Sequence, residues 1–516
     1  MATVGKNILE NLTTGMYHDS KVCYREYIQN ACDQIDIAVK QGLLRKEEAV
    51  VDIWIDVQGR TISVEDNATG VRAGEFVESL GDVANSSKIQ GENKGFRGIG
   101  RLIGLAYCKT LKFTTSFKGE SVASVMICDA QKMRRMIGEK QRYTLEEVWE
   151  SIVKYEQFSE EADAHYFKVE MLEINPENTE LLNVDKVKEY LSFVAPVPYK
   201  NTFIFRNKVY DFARENGFVI DEYNVSVNGE SIFKNYTTTL KEQLGQSTKR
   251  YDEIQDVQFE ILKNQNDEVV AWVWYGISRF TKVIPVCNQM RGLRLRSGNI
   301  QIGTNDTLTA LFKEQRGNSY FIGEVFAVDR RLIPNSQRDY FNENQARVDF
   351  EVLATRFFYD TLHQMYHRAS DMNNAYKRQE EYVEKHNEFV EKSKSNGFIN
   401  EEDRTKLQSE VEEAQKKAEE AKKKIERMKE KDADSPVTSV YRTIEKHFDA
   451  KKPTLVTEEP AATEEKKSKG GYISSEFPQL NRKERKLVST IMSIIAQNAP
   501  KEVAAKIIEE IRKELK

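Results

Sequence analysis

Glu26, Asn30 and Asp33 stand at i, i+4 and i+7 in the segment REYIQNACDQID (Arg25 to Asp36). A carboxylate, an amide and a second carboxylate therefore share one face of a predicted helix. Ala31, Ile35 and Ala38 fall toward another face. Such a stripe is either a solvated surface or the lining of a site. A carboxylate can orient water, and an amide oxygen suits a hard cation such as Mg²⁺. A second motif, VEDNATGV (Val64 to Val71), ends an alternating strand (Thr61 to Val64) in a turn that places Asp66 just beyond a sheet. A third, KGFRGIGRLIG (Lys94 to Gly104), is a glycine-rich loop running into a small-residue helix start. That arrangement turns bare backbone N–H groups and a dipole toward phosphates, and glycines permit close backbone approach. Taken singly, each has a plain reading: a solvated face, a capping aspartate, a tight turn. In this order, and within about 80 residues, they describe an ATP site.

The three motifs resemble the GHKL superfamily of ATPases, which groups gyrase, the ninety-kilodalton heat-shock chaperone, histidine kinases and MutL-type repair proteins. The resemblance implies an α+β fold, a Bergerat-type α/β sandwich in which helices cover a mixed, mostly antiparallel sheet. No P-loop pattern occurs in the chain, in agreement. It further implies Glu26 as the general base that polarises the attacking water, Asn30 as the Mg²⁺ ligand and Asp33 as support from the next turn. Asp66 would accept from the adenine amino group, with Gly70 closing the turn beneath the base. Ser86, Ser87 and Lys88 would lie in a lid, and Gly95, Phe96, Arg97, Gly98, Ile99 and Gly100 would form the loop around the triphosphate. One departure stands out. The usual D-x-G-x-G reads D-N-A-T-G, with Ala68 in the first glycine position, which asks alanine for a backbone shape glycine prefers. The threonine that family members place near adenine has no evident counterpart; the strand HYFKVEMLEI offers Tyr166.

At 516 residues the chain has room for two or three domains, and a net charge of −5 carries no global bias toward nucleic acid or anionic membrane. Five scattered cysteines without a CxxC pair read as reduced, buried thiols of a cytosolic protein. His363 and His367 lack the H-E-x-x-H arrangement and read as a surface pair. No signal peptide or membrane-spanning run is evident, so a cytoplasmic protein without membrane association is expected.

Residues 1–200 are expected to form the ATP-binding domain, with Thr144 to Ala164 as an inserted acidic helix or loop. Residues 201–345 are strand-rich. By resemblance they form a transducer with a βαβ core that supplies one basic residue to the γ-phosphate. IPNSQRDYF resembles the chaperone's asparagine-x-x-arginine stretch and nominates Arg338, with Asn335 beside it. A GLRLR strand followed by a PNSQRD turn is more similar still to a group of prokaryotic chaperone-like ATP-binding proteins. Lys282 and Arg291 are reserve candidates, and an ion pair to Asp339 is the structural alternative for Arg338.

Residues 346–432 carry two heptad seams, Met365 to Val390 and Leu407 to Met428, broken at Ser395-Asn396-Gly397. They predict an antiparallel coiled-coil hairpin. Residues 433–474 read as a flexible linker, and 475–516 as two short amphipathic helices that need another protein surface. The resemblance implies a slow, Mg²⁺-dependent ATP hydrolase (ATP and water to ADP and phosphate). It would act as an ATP-gated homodimeric clamp that remodels or assembles a protein partner, with anti-phage defence as one setting. A DNA-associated clamp of microrchidia or MutL type, and a nucleotide-sensing scaffold with little hydrolysis, stay open beside it.

Overall fold

The structure, a computed structural model, describes residues 5–6, 9, 19–81, 100–395, 397–451, 455–456 and parts of 480–515. The chain divides into two compact units, residues 1–278 with 282–363, and residues 279–281 with 364–516.

An α+β architecture organises the first unit. Its larger sheet contains β1 (Val50–Asp56), β2 (Thr61–Asp66), β3 (Cys108–Ser116), β4 (Val122–Asp129), β5 (Val153–Ser159), β6 (Tyr166–Ile174), β7 (Asn224–Val227) and β8 (Glu230–Ser231). The spatial order is β5-β4-β3-β6-β2-β1-β7-β8, antiparallel throughout except for the parallel β1–β7 pair. Strand alternation sends Ile62, Val64, Leu111, Phe113, Val169 and Met171 to one face, where a single apolar core collects. Covering that face is the helix Val22–Lys40, whose Tyr24, Ile28 and Ile35 join the same core. Each such side chain removed from water contributes about 1.5–3 kcal/mol. The helix stops in a Schellman turn: Gly42 sits at φ +71°, and Leu43 N–H donates to Ala38 O at 2.9 Å. The acidic stretch expected as an insertion supplies the helix Leu145–Ile152 and the edge strand β5. β7 and β8 lie beyond residue 200, so the sheet recruits chain that sequence alone assigns to the next domain.

A two-stranded ribbon, β9 (Thr239–Leu244) with β10 (Ser247–Glu253), precedes the second sheet. That sheet contains β11 (Asp256–Lys263), β12 (Val269–Ile277), β13 (Gly292–Ser297), β14 (Ile300–Ile302) and β15 (Ile322–Ala327), in the order β11-β12-β15-β13-β14. β13 and β15 run parallel, and their crossover holds β14 and the 3₁₀ turns Thr307–Leu311 and Gln315–Tyr320. The expected βαβ crossover thus uses 3₁₀ turns in place of an α-helix. Trp272, Trp274, Tyr199, Phe203, Tyr236 and Phe326 dominate this core.

In the second unit the helices His363–Lys394 and Glu401–Lys431 run antiparallel, tied by Lys385–Glu410 at 3.4 Å and Asp371–Lys424 at 2.9 Å. A third helix, Val437–Lys451, falls inside the segment expected to be linker. It buries Val440, Tyr441, Ile444 and Phe448, and the Phe448 ring stacks on Tyr376 at 4.7 Å. The linker expectation is therefore wrong for these residues, because a regular apolar stripe there finds a helical surface to cover. Four of the five cysteines are buried and Cys287 is exposed, correcting the expectation for that residue alone. His363 is buried and stacks on Tyr359, not a surface residue as expected. Among the described residues no helix is long and apolar enough to cross a membrane.

Candidate active site

The polar face of the helix Val22–Lys40 is not solvated. Glu26 is 7% exposed, Asp33 3% and Gln29 2%, and Asn30 is half-buried between them. Carboxylates are rarely buried without a reason in charge or hydrogen bonding, so the site-lining reading is favoured over the surface one. Gly100 opens the 3₁₀ helix Gly100–Ala106 and lies against Glu26 so closely that a Cβ there would come 2.5 Å from Glu26 Oε2. One turn on, Gly104 packs on the same helix: its N–H donates to Tyr27 Oη at 3.0 Å, where a Cβ would meet that oxygen at 2.5 Å. Glycine at both places lets the start of this segment settle onto the carboxylate.

Asp66 is the last residue of β2 and follows Ile62 and Val64 onto the core face, 4% exposed. Its Oδ1 accepts from Ala68 N–H at 3.1 Å, an Asx turn that starts the loop. Positive φ falls on Gly70 (+65°) and not on Ala68, so the alanine in the first glycine position needs no left-handed backbone. At Gly70 a Cβ would lie 1.9 Å from Ser116 O, so this glycine is demanded twice, by conformation and by space. The turn is pinned to the sheet: Val71 N–H donates to Thr115 Oγ1 at 3.0 Å, and Thr115 Oγ1 donates to Tyr166 O at 2.7 Å.

Register settles which side chains share the Asp66 face. Asp66 pairs with Phe167, and Phe167 pairs with Thr115. Asp66 and Thr115 therefore point to one face, two strands and roughly 10 Å apart. Tyr166, the neighbour of Phe167, points the other way and donates from Oη to Glu160 at 3.0 Å. Tyr166, expected to take the place of the missing threonine, therefore lies off the Asp66 face, and Thr115 is a hydroxyl on it. Thr69 adds another, donating to Gln34 Oε1 on the long helix at 3.0 Å.

The loop carrying Arg338 reaches the same helix. Pro334 bridges Phe341 across the loop, Asn335 N–H donates to Tyr340 O at 2.9 Å, and Arg338 takes φ +53° with its side chain buried. Arg25 Nη2 lies 3.1 Å from Gln337 O and 3.1 Å from Glu26 Oε1. Asp339 is engaged by Asn335 Nδ2. Of the reserve candidates, Lys282 pairs with Glu242, and Arg291 donates to Ser319 Oγ at 2.7 Å. Arg25 was not anticipated: a residue adjacent to Glu26 does not share its helix face, so periodicity gives it no weight. Thr115 could have been found in the hydroxyl run Thr114-Thr115-Ser116, where it continues the apolar parity of Leu111 and Phe113.

The structure thus brings Gly100 and the Arg338 loop to Glu26 and Arg25 near the start of the Val22–Lys40 helix, and the Asp66–Gly70 turn to Gln34 farther along it, with Asn30 and Asp33 on the helix between. Ser86, Ser87, Lys88, Gly95, Phe96, Arg97, Gly98 and Ile99 lie outside the described residues. The donor set is oxygen-rich, which suits a hard cation, and the glycine-lined approaches suit a phosphate chain.

Residues 21–163 match the family model described as histidine kinase-, DNA gyrase B-, and HSP90-like ATPase. The chain is similar to the chaperone protein HtpG of Coxiella burnetii, 32% identical over 87 residues, covering 16% of this chain and 14% of that one. It is similar to HtpG of Chromobacterium violaceum, 27% identical over 136 residues, covering 23% of this chain and 22% of that one. HtpG of Pseudoalteromonas translucida is 31% identical over 87 residues, 16% of this chain and 14% of that one. The matched stretches are thus less than a quarter of those chaperones' length.

Proposed function

We propose that this chain, whose residues 21–163 form a GHKL-type ATPase domain close to heat-shock-chaperone-like proteins, hydrolyses ATP slowly and uses the cycle to open and close a homodimeric clamp on a protein partner. The observation that carries this reading is the meeting at Glu26. A buried carboxylate is pressed on one side by Gly100 and held on the other by Arg25, which also grips the Arg338 loop. In this reading a group that orients water, the last glycine of a phosphate loop and an arginine-bearing loop after the second sheet meet through Glu26 and Arg25, which is the arrangement hydrolysis would use.

In this reading Glu26 orients the attacking water and takes its proton, and Asp33 supports the site from the next turn. Asp66 accepts from the adenine amino group over the Gly70 turn. Asn30 is the Mg²⁺ ligand, and the ion when bound offsets the charge of the phosphates. Ser86, Ser87 and Lys88 belong to a lid, and the loop Gly95, Phe96, Arg97, Gly98, Ile99 and Gly100 wraps the triphosphate. Arg338 grips the γ-phosphate with a fork that never deprotonates. Because the second sheet must deliver that arginine, turnover depends on a conformational step and is slow. Residues 475–516 hold the dimer or the partner, and the chain works in the cytoplasm, with antiviral defence as a setting that fits a client-directed clamp.

The test is solution mass with and without a non-hydrolysable ATP analogue, beside calorimetry with ATP and Mg²⁺. A dimer tightened by the analogue supports the clamp. No heat and no thermal protection would remove ATP from the account, and ATP-dependent, salt-sensitive DNA binding would move it toward a nucleic-acid clamp.

A further inference from the structure

At the centre of the second sheet lies a cluster of charge with no contact to water. Lys234, Arg296 and Glu324 are each 0% exposed. Glu324, on β15, accepts from Lys234 Nζ at 2.9 Å, from Arg296 Nε, from Tyr199 Oη, and from Trp274 Nε1 at 3.3 Å. Burial pushes its carboxyl up, but Arg296 and Lys234 outweigh that and hold it down at about 2. Taking three ionisable groups out of water is costly: burial and the neighbouring Arg296 pull the Lys234 ammonium down to about 7, and an apolar core of equal volume would bind the sheet as well. The cluster therefore calls for a reason other than stability, and its outer bonds supply one.

Arg296 Nη2 donates to Phe193 O at 2.7 Å, in the last turn of the helix Val184–Val194. Arg296 Nη1 donates to Asn299 O at 2.9 Å, and Lys234 Nζ donates to Asn299 Oδ1 at 2.7 Å. Asn299 Nδ2 in turn donates to Asp221 O at 2.6 Å, just before β7 enters the first sheet. Asn299 occupies the β13–β14 turn at φ +59°, after Gly298 at +56°. The strand that follows it, β14, ends at Ile302, and the next residue, Gly303, donates its N–H to Arg338 O at 2.8 Å. A line of hydrogen bonds and four residues of backbone thus runs from the segments entering the first sheet, through Asn299, to the loop beside Glu26.

We infer that Asn299, clamped by Lys234 and Arg296, is a positioning residue for ATP hydrolysis that sets where the Arg338 loop stands relative to Glu26. This rests on the function proposed above. A supporting shell of locked polar groups is what holds a catalytic group to within a fraction of an ångström, and small misplacements cost rate far more than affinity.

The test is Asn299→Gly in the full-length chain. Glycine keeps the positive φ without strain and removes only the side-chain bonds. Turnover should fall on the order of 10- to 100-fold, while calorimetric ATP affinity and KM for ATP stay within about twofold and the melting temperature shows a folded chain. In an Arg338→Ala background the same change should cost little further, since both act through one loop. A loss that adds in full to that of Arg338→Ala, or turnover equal to the parent, overturns the inference. Should Asn299→Gly not fold, Lys234→Met removes the ammonium at similar volume and is read by the same three measurements. A parent chain that neither binds nor hydrolyses ATP overturns the proposed function itself. A parent that turns over normally beside an unaffected variant overturns only the positioning role.

Discussion

Arg25 joins Glu26 to the backbone of Gln337: one terminal nitrogen lies 3.1 Å from the carboxylate and 3.1 Å from the carbonyl. All of this sits inside the protein, with the Arg25 side chain 6% exposed. One guanidinium therefore holds both the Glu26 carboxylate and the docked Arg338 loop. Arg25→Leu should lower turnover about tenfold or more with ATP affinity within a few-fold. It should also destabilise the first unit by roughly 3–5 kcal/mol, the usual result of removing one partner of a buried pair. Steady-state kinetics, calorimetry and denaturant unfolding check both halves. Loss of affinity alone would mean that Arg25 serves nucleotide binding.

Separate substitutions should split binding from turnover. Glu26→Ala keeps ATP binding and loses roughly 100-fold or more in rate, the range typical for a general base. Asp66→Asn turns an acceptor into a mixed group and should abolish detectable binding. Arg338→Ala should lower the rate with affinity nearly intact. Phosphate release beside calorimetric titration separates the three, and an undiminished rate in the Glu26 variant removes it as base.

The two small residues of the Asp66–Gly70 turn should behave oppositely. Gly70→Ala forces a methyl to within 1.9 Å of Ser116 O at φ +65°. It should cost about 1–3 kcal/mol or more and weaken ATP binding. Ala68→Gly, which gives the turn a D-x-G-x-G pattern, should leave affinity within about twofold and destabilise by roughly 0.5–1 kcal/mol, because Ala68 has no positive φ to relieve. Thermal unfolding and titration of both variants check this. Tighter binding by Ala68→Gly would show that the turn is strained after all.

These outcomes trace which features periodicity can reach. The Glu26, Asn30 and Asp33 stripe was readable because helical spacing is local, and burial then set aside its solvated-surface meaning. The face of Tyr166 was not, because only strand pairing tells that Phe167 stands opposite Asp66. Nor was the entry of β7 into the first sheet, a parallel pairing across some 170 residues of chain, Val51 with Val225. Arg25 escaped for the converse reason. Its partners lie one residue and 312 residues away, and neither distance has a periodic signature. The strain expected at Ala68 assumed that both glycine positions of the turn need the same backbone, and only Gly70 does.

The helix Val437–Lys451 had a signal that polar, proline-containing surroundings masked. Val437, Val440, Tyr441, Ile444 and Phe448 follow helical spacing and are all buried. Pro436 stands at the first turn, where its missing N–H costs nothing, and Ser435 Oγ accepts from Val437 N–H at 3.3 Å. Tyr441 Oη donates to Asp432 Oδ2 at 2.5 Å, and Lys429 pairs with Glu445, so the third helix is bound to the end of the second. Its far end is held by the Tyr376–Phe448 stack. Phe448→Ala should then destabilise the helical unit by roughly 2–4 kcal/mol, somewhat below a fully enclosed phenylalanine because the ring edge meets solvent. ATP affinity should not change. Hydrogen exchange over residues 437–451 reads the effect directly: these amides should be protected in the parent chain and exchange faster in the variant. If they exchange at the rate of an unfolded chain in the parent, residues 433–451 are a linker and the third helix does not form.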